Sequence, residues 1–189
     1  MRWIVLLGLT ACGAAAPPVP PVPPVATEPP AEEATSTRPP STASASTSAS
    51  TSTSTTRFGR ESEIAFCVEE TNKYRLATNR KPFQRSRELD AFAAEGAKHD
   101  ARVRQPHHHF NTAQFPGSFS GLAENELPWW HLEAAGSVRT VIRDGLASMW
   151  AEGPGGGHYE NLTGKYTEMG CGIHIDGEEI TVVQDFRSP

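Results

Sequence analysis

The feature that most restricts how this chain can fold is a long stretch near its N-terminus that is almost free of large apolar side chains. Residues 13–56 hold ten of the sixteen prolines, then a run of Ser, Thr and Ala over 41–56, and no aromatic residue. Their apolar surface is too small to offset the entropy lost on ordering, so we expect an extended Pro-rich part and a flexible Ser/Thr part. The rest of the 189-residue chain has a normal size for a single domain with one core.

The first residues predict export. Arg2 precedes an apolar run over 3–9, which is too short to span a bilayer and is typical of a signal peptide. The Leu-Thr-Ala-Cys sequence that ends at Cys12 resembles a bacterial lipobox. That resemblance implies cleavage before Cys12 and attachment of a lipid to its thiol. The alternative is an ordinary signal peptide with an incidental cysteine.

These observations predict three segments. Residues 1–11 form a signal peptide, 12–60 a lipidated cysteine and a disordered linker, and 61–189 the folded domain. We therefore expect an exported protein that its lipid anchors to a membrane, at the bacterial outer membrane or cell surface. The linker would hold the domain away from that membrane.

Two cysteines remain after Cys12, and their number is informative. Cys67 and Cys171 both lie in the predicted domain. Outside the cytoplasm a lone pair of thiols tends to oxidise, so a Cys67–Cys171 disulfide is predicted. The alternative is two buried free thiols, which behave as small apolar side chains.

The charge of the chain excludes one class of partner. Its formal net charge is −5 at pH 7, and no basic stripe is visible, so we expect no nucleic-acid partner. We expect a monomer.

Apolar spacing predicts three helices. The first covers 61–76, with Ser62 as its N-cap. The second begins at Ser86 and the third at Ser137, and both serines are good N-cap residues.

The C-terminal part predicts a β-hairpin. Apolar residues alternate over 169–175 and 180–186, and an Asp-Gly turn signal separates the two runs. Gly170 and Gly172 fall on one face, which lets a helix backbone approach closely. A further short strand is predicted over 122–127. These elements favour an α+β fold with helices packed on a small antiparallel sheet.

Three short motifs occur in order along the predicted domain. They are Asn-Lys-Tyr-Arg at 72–75 with Pro82-Phe83, Ser86, Leu89 and Ala93 after it, Ala-Glu-Asn at 123–125, and Gly-His-Tyr-Glu-Asn-Leu at 157–162 with Gly-Cys-Gly at 170–172. These motifs resemble the CAP superfamily of cysteine-rich secretory proteins, antigen 5 and plant pathogenesis-related proteins, whose bacterial branch is called the SCP domain. The resemblance covers nearly the whole of 61–189 and implies a three-layer α-β-α sandwich.

The resemblance also implies a cleft lined by two histidines and two glutamates, which holds a divalent metal in some members. His158 matches the second histidine of the family. Glu124 matches the first glutamate, with Ala123 where the family has glycine. Glu152 matches the second glutamate, although the tryptophan before it is one position nearer than in the family pattern.

The first histidine of the cleft is one of three neighbours at 107–109. His109 is preferred because it is nearest the predicted strand, and His107 is the alternative. His108 lies between these two candidates. The alternative for all three histidines is a solvated polar tract that binds metal only weakly.

Two imidazoles and two carboxylates allow several functions. They can bind zinc or another divalent metal, and Glu124 and His158 are catalytic candidates if the protein is a metal-dependent hydrolase. No Gly-x-Ser-x-Gly motif or phosphate loop is present, so a domain that binds a lipid, glycan, peptide, protein or metal without catalysis is preferred. A third interpretation is a structural or interaction domain of the cell envelope, in which the polar residues form a satisfied hydrogen-bonded cluster.

Overall fold

The computed structural model describes residues 51–189, with side chains from Arg60 onward. The predicted signal peptide, the lipidation site Cys12 and the linker up to residue 50 lie outside the described residues. Among the helices that the structure describes, none has the length and apolar character that a membrane crossing requires.

The described chain forms helices around one four-stranded sheet. The strands lie in the order β1-β3-β4-β2, and β2, β3 and β4 pair antiparallel. The helices are α1 (Thr51–Ala77), α2 (Arg87–Val103), α3 (His108–Thr112), α4 (Leu132–Ala135), α5 (Val138–Ala151) and α6 (Gly157–Thr163), and the strands are β1 (Gln84–Arg85), β2 (Gly121–His131), β3 (Glu168–Asp176) and β4 (Glu179–Ser188).

The layers confirm the predicted α+β sandwich. Helix α2 covers one face of β3 and β4, whereas α1 lies on the other face of β3 and packs on α5 and α6. The Cys67–Cys171 disulfide is confirmed, and it links α1 to the central strand β3. The predicted antiparallel pairing holds for β2, β3 and β4, and the structure adds one parallel pair. The two-residue strand β1 pairs parallel with β3, so the sheet is mixed.

The helix starts were predicted correctly in two of three cases. The side chain of Ser86 accepts a hydrogen bond from the Leu89 amide, and that of Ser137 accepts one from the Thr140 amide. The first helix is different. It begins at Thr51 rather than at residue 61, so Ser62 lies in its interior and is not its N-cap. Once a helix is nucleated and packed, each further residue adds a hydrogen bond at low cost, so the helix extends into the Ser/Thr run.

The two sides of the sheet are filled differently. The side that faces α1 and α5 holds large buried side chains such as Leu146, Met149 and Trp150. On the other side, a Cβ added at Gly172 would lie only 2.1 Å from the backbone of Ala93, so α2 sits directly on β3 as the glycines predicted. The apolar cluster there contains only small residues: Ala93, Ala97 and Val183.

The first motif of the sequence has a structural role. The buried guanidinium of Arg75 donates hydrogen bonds to the backbone oxygens of four residues that the fold brings together, Lys81, Leu162, Gly164 and Tyr166. The side chain of Asn72 accepts from the Phe83 amide and donates to its carbonyl oxygen. The motif therefore fixes the end of α1 to the loops that flank the sheet.

Candidate functional site

Strand β2 presents acidic side chains to the face of the sheet that α2 covers. Glu124 and Glu126 are two residues apart, so their side chains point to the same face, and both are buried. Glu124 lies opposite Asp185 of the neighbouring strand β4, and Asp185 is fully buried. Asp100 of α2 is also fully buried. We call these four residues the acidic cluster.

His107 contacts two members of the acidic cluster, Glu124 and Glu126. It is the N-cap residue of α3, with a left-handed backbone at φ 59°. Its Nδ1 lies 2.7 Å from Oε1 of Glu124, and its amide donates to Oε2 of Glu126 at 2.7 Å. The hydrogen bond to Glu124 is the main reason why the pKa of His107 is raised. Both carboxylates therefore hold the half-buried imidazole in place.

His109, in the first turn of α3, contacts α2. Its amide donates to Oδ1 of Asp100 at 2.8 Å, and its ring packs against Phe92. A Cβ added at Gly96 would lie 3.3 Å from Nδ1 of His109 and 3.9 Å from Oε2 of Glu124, so these two atoms border the same point of α2. Burial lowers the pKa of His109, and its Nδ1 has no hydrogen-bond partner in the protein.

The acidic cluster contains more negative charge than the described residues neutralise. Oδ2 of Asp100, Oε2 of Glu124, Oε1 of Glu126 and both carboxyl oxygens of Asp185 are buried without a hydrogen-bond donor. Burial raises the pKa of Glu126 to about 7. Burial, and secondarily the neighbouring Glu124, raises the pKa of Asp185 well above its ordinary value. The site must therefore take up protons or a cation, because buried carboxylates cannot all remain ionised side by side.

Part of this site has the arrangement of metal ligands. One ligand atom from each of His107, Glu124 and Glu126 lies within 4.8 Å of the others. Imidazole nitrogen together with carboxylate oxygen is a donor set that suits zinc and other first-row divalent ions. The residues present therefore fit a divalent cation.

Glu126, Asp185 and Asp100 were missed as site residues in the sequence. A signal existed for two of them: Glu126 repeats Glu124 at the two-residue period of a strand, and Asp185 alternates with the apolar residues of the hairpin. Nothing in the sequence showed that β2 and β4 would be neighbours, so the two carboxylates could not be brought together.

The structure places the predicted site residues in two pairs. His107 pairs with Glu124, and His158 pairs with Glu152 through Nδ1 and Oε1 at 2.5 Å and through its amide and Oε2 at 3.1 Å. The hydrogen bonds from His158 lower the pKa of Glu152 against the opposing effect of burial. Because His107 contacts Glu124 directly, His107 is favoured over His109 as the histidine partner of Glu124.

The two pairs lie on adjacent elements. Asn161 of α6 donates to the carbonyl oxygen of Glu124 and to Oδ1 of Asn125, and Asn125 donates to the carbonyl oxygen of His158. These bonds fasten α6, which carries His158, to β2. Neither His158 nor Glu152 belongs to a metal-ligand group among the described residues, so a single cleft formed by both pairs stays a prediction.

Comparison with known proteins identifies the family to which this chain belongs. Residues 68–186 match the model of the cysteine-rich secretory protein family, CAP. This match covers more than half of the chain, and the chain belongs to that family. No curated protein matches the sequence.

Solved structures show weaker likenesses. An extracellular protein with an SCP domain from Bacillus anthracis str. Ames is 14% identical with a TM-score of 0.47, over 68% of this chain and 41% of that chain. A cysteine-rich secretory protein from Staphylococcus aureus subsp. aureus Mu50 is 16% identical with a TM-score of 0.45, over 68% of this chain and 39% of that one. Venom allergen-like protein 4 of Schistosoma mansoni is 14% identical with a TM-score of 0.42, over 66% and 87%. At these values the likenesses carry no functional argument.

Proposed function

We propose that this protein is an exported, lipid-anchored CAP domain that binds a divalent cation, such as zinc, through His107, Glu124 and Glu126, without catalysing a reaction. One observation carries the proposal. The three side chains offer ligand atoms within 4.8 Å of one another, at a place where buried carboxyl oxygens have no hydrogen-bond donor. A divalent cation there would neutralise two of the charges and satisfy oxygens that the protein leaves unpaired.

The surroundings of the site support binding rather than a solvated polar tract. Glu124 is 7% exposed and Glu126 is 4% exposed, so water screens their charges poorly and a bound cation would interact strongly with them. Asp185 of β4 places a further buried carboxyl group directly opposite Glu124. His107 is half-buried at the edge, which gives an ion a route from solvent.

The proposed location rests on other features. The Cys67–Cys171 disulfide supports an oxidising compartment outside the cytoplasm. The lipobox-like sequence before Cys12 and the Pro-rich stretch after it support a membrane anchor and a spacer. Lipid, glycan or protein ligands remain further partners that such a displayed domain would meet.

Zinc binding to the full-length protein, measured by metal analysis after dialysis and by titration calorimetry, tests the proposal. We expect the double substitution Glu124→Gln with Glu126→Gln to remove one bound zinc ion per chain. The matched control is Glu133→Gln, which changes an exposed glutamate on α4 and is expected to leave binding unchanged. Unchanged stoichiometry in the folded double variant would show that the proposed site is wrong.

The alternative function, a metal-dependent hydrolase, predicts a different experimental result. It requires turnover of a peptide, ester or glycan by the zinc-loaded protein, and Glu124→Gln must abolish that turnover. A structural domain predicts no zinc binding and a loss of thermal stability in His158→Ala. The three outcomes are distinct, so the same set of variants separates them.

A further inference from the structure

A second group of candidate metal ligands, His99, Asp100 and His108, shares no residue with the group His107, Glu124 and Glu126, although Asp100 also belongs to the acidic cluster. His99 near the end of α2 and His108 at the start of α3 have nearly parallel rings, with centroids 5.0 Å apart and an interplanar angle of 18°. Nε2 of His99 lies 2.8 Å from Nδ1 of His108. Two imidazole nitrogens from different helices therefore meet at one point, and both rings are half-buried.

Asp100 supplies a carboxylate to the same point. It is fully buried, and the amide of His109 donates to its Oδ1, which turns the carboxylate towards α3. Its Oδ2 has no hydrogen-bond donor in the protein. One of its oxygens lies within 4.8 Å of a ring nitrogen of each histidine. A buried carboxylate with an unpaired oxygen beside two imidazoles is costly unless a cation completes it.

We infer that His99, Asp100 and His108 form a second cation site, distinct from the one that contains Glu124, and that it takes zinc or another divalent ion that prefers imidazole. Two histidines and a carboxylate are a common zinc donor set, with the fourth position open to water. Tetrahedral zinc at its usual bond length holds two ligand nitrogens about 3.3 Å apart. The two ring nitrogens are 2.8 Å apart, so they need only move apart slightly to admit the ion.

Arg102 lies beside this site and contacts His99. Its guanidinium lies 3.4 Å from Nδ1 of His99, and because arginine only donates, that nitrogen is the acceptor. In neutral His99 the proton is then on Nε2, which donates a hydrogen bond to Nδ1 of His108. When a metal binds, Nε2 releases its proton and Nδ1 takes one up, so the imidazole stays neutral but can no longer accept from Arg102. The exposed arginine therefore competes with the ion.

Zinc titration of the full-length protein against a chromophoric chelator tests the inference. We expect two zinc ions per wild-type chain, and the loss of one in His99→Gln with His108→Gln. Because the two sites use different ligands, the double variant at Glu124 and Glu126 should keep the zinc of this site. His131→Gln, which changes an exposed histidine at the end of β2, is the matched control and should bind as the wild type does.

Arg102→Gln gives a readout that does not depend on losing a ligand. It removes both the competing hydrogen bond and the nearby positive charge, so zinc affinity should rise severalfold at this site alone. Cobalt in place of zinc should show visible absorption bands that disappear in the histidine double variant.

Three results would overturn the inference. The first is that the folded histidine double variant still binds two zinc ions. The second is that the wild type binds one zinc ion, which only the double variant at Glu124 and Glu126 loses. The third is that Arg102→Gln binds zinc no more tightly than the wild type does. A single wild-type ion lost only in the histidine variant would support this site and refute the proposed function.

Discussion

Glu124 and Asp185 lie directly opposite each other on the antiparallel strands β2 and β4, and both carboxyl groups are buried. Burial raises the pKa of Asp185, and Glu124 raises it further. Cross-strand neighbours of like charge destabilise a sheet, so this pair is a local conflict within an otherwise well-packed strand. Such conflicts mark sites where a protein gives up stability for function.

Neutralising Asp185 should stabilise the metal-free protein. Asp185→Asn removes a buried charge, keeps the shape of the side chain and provides a donor for Oε2 of Glu124, which lacks one. We expect the melting temperature in EDTA to rise by several degrees at pH 8, and by much less at pH 4, where the raised pKa already keeps Asp185 neutral. The control Asp176→Asn changes an exposed residue of β3. A lower melting temperature at pH 8 would contradict this account.

The metal-free protein should lose stability as the pH rises from about 4.5 to about 7. The pKa of Glu126 is raised by burial from 4.5 to about 7, so the folded state binds its proton more tightly than the unfolded state does. The resulting stability is present below pH 4.5 and disappears as the pH passes 7. His107, whose pKa is also raised, acts in the same direction.

Thermal melts in EDTA across this pH range check that prediction. The groups that face Glu126 are Asp100, Glu124, His107 and Asp185, and all of them remain in Glu126→Gln. This substitution should remove the part of the pH dependence of the melting temperature that Glu126 causes between about pH 4.5 and 7. Outside that range the pH dependence should be unchanged. An equal slope in the variant would assign the pH dependence to other groups.

A side chain at Gly172 should disrupt the layer between α2 and β3. The added Cβ of Gly172→Ala would lie 2.1 Å from the Ala93 backbone, and backbone cannot move aside as a flexible side chain can. We expect a loss of more than about 3 kcal/mol in the free energy of unfolding, measured by urea denaturation. Gly157→Ala is the matched control, because its Cβ would meet nothing within 4 Å. Similar losses in both variants would contradict the close approach of α2.

Removing the disulfide should destabilise the domain strongly. Cys67 and Cys171 are separated by 104 positions, and closing a loop of that length stabilises the folded state by up to about 4–5 kcal/mol in the chain-entropy account. The double substitution to alanine should lower the free energy of unfolding by an amount of that order. Reductant should destabilise the wild type in the same way but have no effect on the variant. A reductant effect in the variant would show that another cause is at work.

Local signals in the sequence predicted much of the fold. The serines at 86 and 137 act as caps because their hydroxyl groups meet amides three residues away, which spacing alone specifies. Gly170 and Gly172 predicted the close approach of a helix, because only residues without a side chain leave room for it. The parallel pairing of β1 was not predictable, because two residues carry no strand pattern.

The candidate site was predictable only where a motif marked it. Glu124 and His158 were found through motifs, and the structure gives each a histidine or glutamate partner. Asp185 and Asp100 looked like ordinary polar positions, because their role depends on which strand and helix become neighbours in space. His99 and His108 meet for the same reason: α3 folds back across the end of α2.

The disulfide has a mechanical consequence for a domain that is held from its N-terminal side. Tension applied there enters α1, the first described element, and can unwind it only as far as Cys67. From that residue the covalent bond to Cys171 carries the force into β3, which pairs with β4 along its whole length and with β1 at Glu168 and Met169. The applied force is therefore distributed over the paired strands of the sheet, and the helices are not unfolded one after another.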